Sequence, residues 1–323
     1  MLVTQRPIVQ GAFLATLLAT ALFLPLPLYL VSLALFGLPH VIWEIGFLRS
    51  RYAARWPVYW WATLWAVLLL QAGVRGAVWL GVYSATSSAI IDLLALLLLG
   101  VVVALAPQGA GWLVRIGGGL MASLVFWLLQ HGDITTALLI LALAHNFTPL
   151  GLVWDMARTD RATRPLAWFV TGLCALPVLV AISGWHGATV PTMVADHASL
   201  LDGQLPTAWS GPSRQAWLCA AVLAQCLHYY CVIVLLPQAE SKRTARTVIP
   251  PVVRFGTVAI VMLMLMYYGY DYAAARKLYA VAAGVHAWLE WPLLLMAFLC
   301  IGRQVNRARD DGNPTEVGLT NQA

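Results

Sequence analysis

The segment GLPHVIWEIGF, from Gly37 to Phe47, ends an apolar run that begins near residue 10, yet it carries a histidine and a glutamate. His40 and Glu44 are four residues apart, so a helix would place both side chains on one face, one turn apart. Ionisable groups inside membrane segments are costly to bury and mark functional sites by default. The segment therefore predicts a membrane helix that carries part of a functional site.

The composition of the whole chain supports a membrane location. Of its 323 residues, 61% are hydrophobic and only 10% are charged, whereas soluble domains are typically about 25% charged. The net charge of +6 includes no Lys/Arg cluster dense enough to follow a phosphate backbone. The composition therefore predicts a polytopic membrane protein and argues against nucleic acid as a partner.

Spans of about 20 mainly apolar residues can be placed along the chain. They predict an all-α transmembrane helix bundle with about nine spans, or eight to nine because the second is short and the fourth is interrupted. Residues 1–302 would form a single transmembrane domain, followed by a polar, disordered cytoplasmic tail at 303–323. The predicted spans lie near 10–45, 58–73, 86–106, 112–130, 134–156, 165–184, 214–236, 251–271 and 277–301.

The distribution of Lys and Arg predicts how the bundle is oriented. With nine spans and the N-terminus outside, fourteen of the 19 basic residues fall on one side of the membrane and five on the other. This asymmetry is what the positive-inside rule requires of the cytoplasmic side. It predicts an outer N-terminus, a cytoplasmic C-terminus and a multi-pass location in a bacterial-type inner membrane. The first apolar run is too long for a cleaved signal peptide and is expected to remain as a helix.

Four histidines lie within predicted spans, and two of them precede a carboxylate by one helical turn. The segment HAWLE repeats the spacing of HVIWE, with His286 and Glu290. Three of the four histidines lie near the middle of their spans, and all four could meet in one layer between the midplane and the cytoplasm. The four are His40, His145, His228 and His286.

A shared cation would explain these buried polar residues together. Neutral imidazole suits iron, zinc or copper, and imidazole with carboxylate and open positions is typical of non-haem Fe(II) enzymes that use O₂. We expect one Fe(II) on the four histidines, with a two-metal site as an alternative. Glu44 and Glu290 would complete the ligand set or orient the histidines, and Asp155 is a further candidate ligand. Tyr229 and Asn146 would position O₂ or the substrate.

The motif GLPHVIWE resembles a known family. The bacterial Brp/Blh proteins carry a segment Gly-x-x-His-Gly-x-x-Asp, and Gly37, His40 and Glu44 have its spacing, with Val41 in place of the second glycine and Glu44 in place of the aspartate. Members of that family are all-helical membrane enzymes that cleave β-carotene to retinal with O₂ at a histidine-bound non-haem iron. The resemblance implies an iron oxygenase, and carotenoid-like cleavage as its reaction.

Three functions remain open at this stage. The first is an iron-dependent oxygenase acting on a lipophilic substrate within the bilayer, with O₂ as co-substrate and an electron donor as a further partner. The second is a haem b electron carrier, with two of the histidines as axial ligands. The third is a metal-ion or proton transporter, in which a buried His/Glu relay is also expected.

Overall fold

In a computed structural model, the described residues are 7–52, 57–105, 112–131, 134–185, 212–244 and 250–299. Within these ranges the chain is helical and contains no strand. Eight of the helices there are long and apolar enough to cross a membrane. The predicted all-α, multi-pass bundle is therefore confirmed. The predicted tail at 303–323 lies outside the described residues.

Twelve α-helices lie within the described residues. In chain order they are α1 (Pro7–Phe23), α2 (Pro25–Tyr52), α3 (Val58–Trp79), α4 (Ala85–Ala104), α5 (Trp112–His131), α6 (Ile134–His145), α7 (Thr148–Thr159), α8 (Arg164–Ser183), α9 (Pro212–Tyr230), α10 (Leu236–Thr244), α11 (Pro251–Tyr270) and α12 (Tyr272–Leu299). A π-helical turn, Cys231–Leu235, joins α9 to α10. Such turns are frequent at functional sites, and this one begins three residues after His228.

The first predicted span, 10–45, is two helices rather than one. The side chain of Gln10 in α1 donates to Tyr230 of α9, and Cys219 donates to the carbonyl of Leu22, so α1 runs antiparallel to α9. In α2, Ser32 meets Gln225 and Glu44 meets His228, so α2 runs parallel to α9. The break falls at Leu24, where two closely spaced prolines, Pro25 and Pro27, remove backbone donors.

The predicted span 134–156 is also divided. α6 ends at His145, and α7 begins at Thr148 with a proline in its first turn. Pro149 has no N–H to donate to the carbonyl of His145, four residues earlier. The hydroxyl of Thr148 donates to that carbonyl instead, at 2.7 Å. The break therefore keeps its polar groups satisfied within the bundle, as non-helical backbone at membrane depth must.

Three parallel helices form the centre of the bundle. α2 runs parallel to α9, and it also runs parallel to α12, because Gly37 lies against Tyr279 and His40 lies against His286. The structure does not include a membrane, so the side on which these helices begin is still predicted only from the distribution of Lys and Arg. Their shared direction brings His40 and His286 to one level, along with His228 of α9.

Candidate metal centre

The structure brings the four buried histidines and one glutamate together. One ligand atom from each of the five residues lies within 4.8 Å of all the others, and every residue in the set is buried. Four different helices contribute, so residues far apart in the chain meet at one point. The set consists of His40 and Glu44 on α2, His145 at the end of α6, His228 on α9 and His286 on α12. We call these five residues the histidine cluster.

The spacing within the histidine cluster matches that of ligands around one ion. The Nε2 atom of His286 lies 3.0 Å from Nε2 of His40 and 3.0 Å from Nε2 of His145. Two ligands about 2.1 Å from a common ion, at a right angle to each other, are about 3.0 Å apart. The nitrogen atoms therefore stand where a single first-row metal ion would hold them.

Hydrogen bonds at the far side of two rings decide which nitrogen carries the proton. Nδ1 of His40 lies 3.1 Å from the carbonyl of Phe36, and Nδ1 of His286 lies 3.3 Å from the carbonyl of Ala282. A carbonyl only accepts, so we assign the proton to Nδ1 and a lone pair to Nε2 in both rings. Two lone pairs that face each other across 3.0 Å repel, and a cation between them removes that repulsion.

The two glutamates differ in position. Glu44 Oε2 lies 3.5 Å from Nε2 of His228 and 3.7 Å from Nε2 of His286, so Glu44 belongs with the ligand atoms. Glu290 Oε2 lies 2.7 Å from Nδ1 of His145, on the far side of that ring. Glu290 thus orients a histidine of another helix, whereas its own-helix neighbour His286 is oriented by a backbone carbonyl.

Charge at the cluster also indicates a cation. Glu44 and Glu290 are fully buried, and neither carboxylate oxygen of Glu44 has a hydrogen-bond partner among the described residues. Burying an ionised carboxylate without compensation is very costly. Two ionised carboxylates together with four neutral imidazoles would be balanced by one divalent ion.

Asp155 does not join the histidine cluster, contrary to its prediction as a candidate ligand. Its Oδ2 atom lies 2.6 Å from Arg51 Nη2 and accepts a hydrogen bond from the hydroxyl of Tyr52 at 3.0 Å. Arg51 also lies 3.5 Å from Glu240 and donates to Thr159. Asp155 stands on α7, ten residues beyond the break that ends α6 at His145, so it faces this ion-pair network instead.

Tyr229 and Asn146 both line a cavity of about 400 Å³ that also reaches His40, His145 and His286. The ring of Tyr229 is buried, and its centroid lies 4.3 Å from that of His40. Asn146 occupies the break between α6 and α7, and its side-chain amide donates to the carbonyl of Ala142. Both residues therefore stand beside the histidine cluster without belonging to it.

Two buried ion pairs were not predicted from the sequence: Arg51 with Asp155, and Arg75 with Asp92. Arg51 serves in the sequence analysis only as one of the basic residues that set the orientation of the bundle, yet its side chain is buried. Asp92 is likewise buried, and Arg75 binds it through two hydrogen bonds of 2.9 Å. Arg75 lies just beyond the predicted span 58–73 but inside α3, which extends to Trp79, and a basic residue within an apolar helix requires a nearby partner.

Comparison of the chain with protein-family models, with curated proteins and with solved structures gives no match. The assignment of a function therefore depends on the chemistry of the cluster and the cavity.

Replacing Glu290 should weaken metal binding without removing a ligand. We expect Glu290→Leu to reduce metal affinity about 10–100-fold, because residues that orient metal-bound histidines contribute by that amount. Glu290→Gln should lose less, since its amide oxygen can still accept from Nδ1 of His145. Competition titration with a chelating dye measures both affinities. Wild-type affinity in Glu290→Leu would contradict the orienting role.

Proposed function

We propose that this protein is an integral-membrane, non-haem iron oxygenase that acts on a lipophilic substrate partitioned into the bilayer. The observation that carries the proposal is the convergence of four imidazoles and one carboxylate within 4.8 Å, next to a cavity of about 400 Å³. The cavity has the volume of a small-molecule site. It opens against three of the four histidines, so a ligand within it would lie beside the bound ion.

The donor set favours iron over structural zinc. The cluster supplies imidazole nitrogen and carboxylate oxygen only, and the four cysteines of the described residues lie outside it. Nitrogen and oxygen donors with an open position are typical of non-haem Fe(II) sites, and five donors leave one octahedral position open. Iron bound here would supply the activation of O₂ that an oxygenase requires.

The chain's own residues would hold and shield this chemistry. Glu290 fixes the ring of His145, and carbonyls of α2 and α12 fix His40 and His286. Tyr229 covers His40, and its side chain is hydrogen-bonded to that of Tyr279. All five residues of the cluster are buried, and a site with little water strengthens the electrostatic contacts within it.

The spacing of the histidines argues against a haem b carrier. Two axial nitrogens on opposite faces of a haem are about 4 Å apart, with the macrocycle between them. His286 lies 3.0 Å from both His40 and His145, and the rings of His40, His145 and His286 make direct contacts. No porphyrin fits between rings at that distance.

A transporter is supported less well by the surroundings of the cluster. Transport requires a path away from the site in both directions. The cavity lies toward the N-terminal ends of α2 and α12. Toward their C-terminal ends, the buried ion pairs of Arg51 with Asp155 and Glu240 occupy the interior. A cavity on one side of the cluster and buried ion pairs on the other suit a reaction site.

The proposal is tested on protein purified in lipid nanodiscs. We expect about one iron per chain, no Soret absorption, and a high-spin EPR signal when nitric oxide is added to the ferrous protein. O₂ consumption should then depend on a lipophilic compound and vanish in protein loaded with zinc. A strong Soret band, or protein that retains no metal at all, would contradict the proposed function.

A further inference from the structure

Resting on the proposed function, we propose that the substrate is a single-chain amphiphile with a terminal carboxylate. Arg276 binds the carboxylate at one end of the cavity, and the hydrocarbon chain extends along the cavity to the histidine cluster. Four features of the structure support this inference: the shape of the cavity, its lining, the state of its two arginines and the position of Arg276 in the membrane.

The lining of the cavity follows two helices for about three turns. On α12 it extends from Arg276 to Trp288, and on α2 from Tyr29 to His40. Eleven or twelve helical residues rise about 17 Å. A cavity of about 400 Å³ has the size of a site for one small ligand, and a ligand that reaches from Arg276 to the histidines must be extended.

The lining changes in character along this length. Three histidines of the cluster line one part of the cavity. Between them and Arg276 most lining side chains are small or aliphatic, such as Leu33, Val222 and Ala283, and the polar ones include Arg75, Asn146 and Gln225. Arg276 lines the other end, together with Tyr29 and Tyr279 nearby on the wall. A ligand that matches all three regions has a long apolar body and one anionic head.

Arg276, and not Arg75, is the arginine of the cavity whose charge is not paired with a carboxylate among the described residues. Arg75 also lines the cavity, but it donates to both carboxylate oxygens of Asp92 at 2.9 Å and to the carbonyl of Ala280 at 2.7 Å. Arg276 is half-buried, and no carboxylate of the described residues lies within ion-pair distance of it. A guanidinium fork matches the two oxygens of a carboxylate.

The position of Arg276 suits an amphiphile that keeps the orientation it has in a bilayer, with its charged head at the interface and its chain toward the midplane. Arg276 lies four residues after Tyr272, the first residue of α12, which places it about 6 Å from that helix end. Charged groups of amphiphiles stay at the membrane interface while their chains enter the apolar layer. The carboxylate would meet Arg276 at interfacial depth, with its chain directed toward the midplane.

Binding can be measured without any turnover, on full-length protein loaded with zinc in nanodiscs. The probe is a photoreactive diazirine analogue of tetradecanoate, and the competitors are tetradecanoate and tetradecanol. We expect tetradecanoate to compete at least about tenfold better than tetradecanol, because charge-assisted hydrogen bonds are the strong ones. Arg276→Gln should lose that preference. Lys277→Gln is the matched control, because it removes the same charge from the next, exposed residue.

The outcomes of this experiment test the inference about the substrate without testing the proposed oxygenase function. Equal competition by tetradecanol in the wild type overturns the inference, and so does equal loss in Arg276→Gln and Lys277→Gln. Wild-type selectivity in Arg276→Gln likewise overturns it, because the carboxylate must then bind elsewhere, for example at the metal. If Arg276→Gln does not fold, Arg276→Lys replaces it and should keep only part of the preference, because an ammonium lacks the planar fork; an unchanged preference would overturn the inference. Zinc content measured on the same samples tests the metal centre independently.

Discussion

Replacing His286 with alanine is expected to abolish stoichiometric metal binding while the helix bundle stays folded. The ring of His286 is the centre of the cluster, because its Nε2 atom lies 3.0 Å from Nε2 of both His40 and His145. Removing a residue that only orients a ligand costs 10–100-fold in affinity, so we expect removing this ligand to cost more than about 100-fold. His145→Ala and His228→Ala should behave alike.

Metal content per chain, measured by inductively coupled plasma mass spectrometry after purification, checks this prediction. His131→Ala is the matched control, since His131 is exposed at the end of α5 and contacts only the carbonyl and ring of Trp127 among the described residues. Circular dichroism and size-exclusion profiles verify that each variant folds. A folded His286→Ala protein with the full metal content of the wild type would refute the assigned site.

Replacing Arg51 with methionine is expected to cause the largest loss of stability. Arg51 is the cation shared by two buried acids: Asp155 lies 2.6 Å from its Nη2 atom and Glu240 lies 3.5 Å from its Nη1 atom. Removing one partner of a buried ion pair leaves uncompensated buried charge and costs about 3–5 kcal/mol. The hydrogen bond that Tyr52 donates to Asp155 does not carry the full positive charge of Arg51.

Chemical denaturation of the detergent-solubilised protein, followed by tryptophan fluorescence, measures this loss. Arg49→Met serves as the control, because Arg49 is two residues away on the same helix and is exposed. The double variant Arg51→Met/Asp155→Asn should recover part of the stability, since it also removes one of the stranded charges. Equal stability of Arg51→Met and Arg49→Met would contradict the structural role of the network.

The class of fold and the meeting of the histidines could both be predicted from the sequence. Apolar runs of about 20 residues require a bilayer, and this requirement does not depend on detailed packing. A histidine such as His228 in the middle of such a run needs a polar neighbour at its own depth. Helices that run in the same direction bring equal depths together, so the level of each ring follows from its place in its span.

The partners of each side chain could not be predicted in the same way. The spacing of His286 and Glu290 suggests a pair within one helix, but Glu290 contacts His145 of α6 instead. Residues four apart share a face, yet a neighbouring helix that approaches that face offers closer atoms. The rotation of each helix about its axis decides this, and it depends on packing between distant segments.

Asp155 illustrates the same limit. Periodicity places it along the helix that follows His145, but the break at Asn146 and Phe147 shifts the register. Its carboxylate therefore meets Arg51. Pro149 removes one backbone donor and so predicts a break in the helix. It does not predict the direction of the helix that follows.

The most direct test of the shared metal centre is X-ray absorption at the iron edge of the purified, iron-loaded protein. The structure predicts nitrogen and oxygen neighbours only, with outer-shell scattering from about four imidazole rings, and the loss of one ring's contribution in any histidine variant that retains some iron. Sulfur neighbours, a porphyrin pattern, or scattering from a single imidazole would contradict the convergence of four helices on one ion.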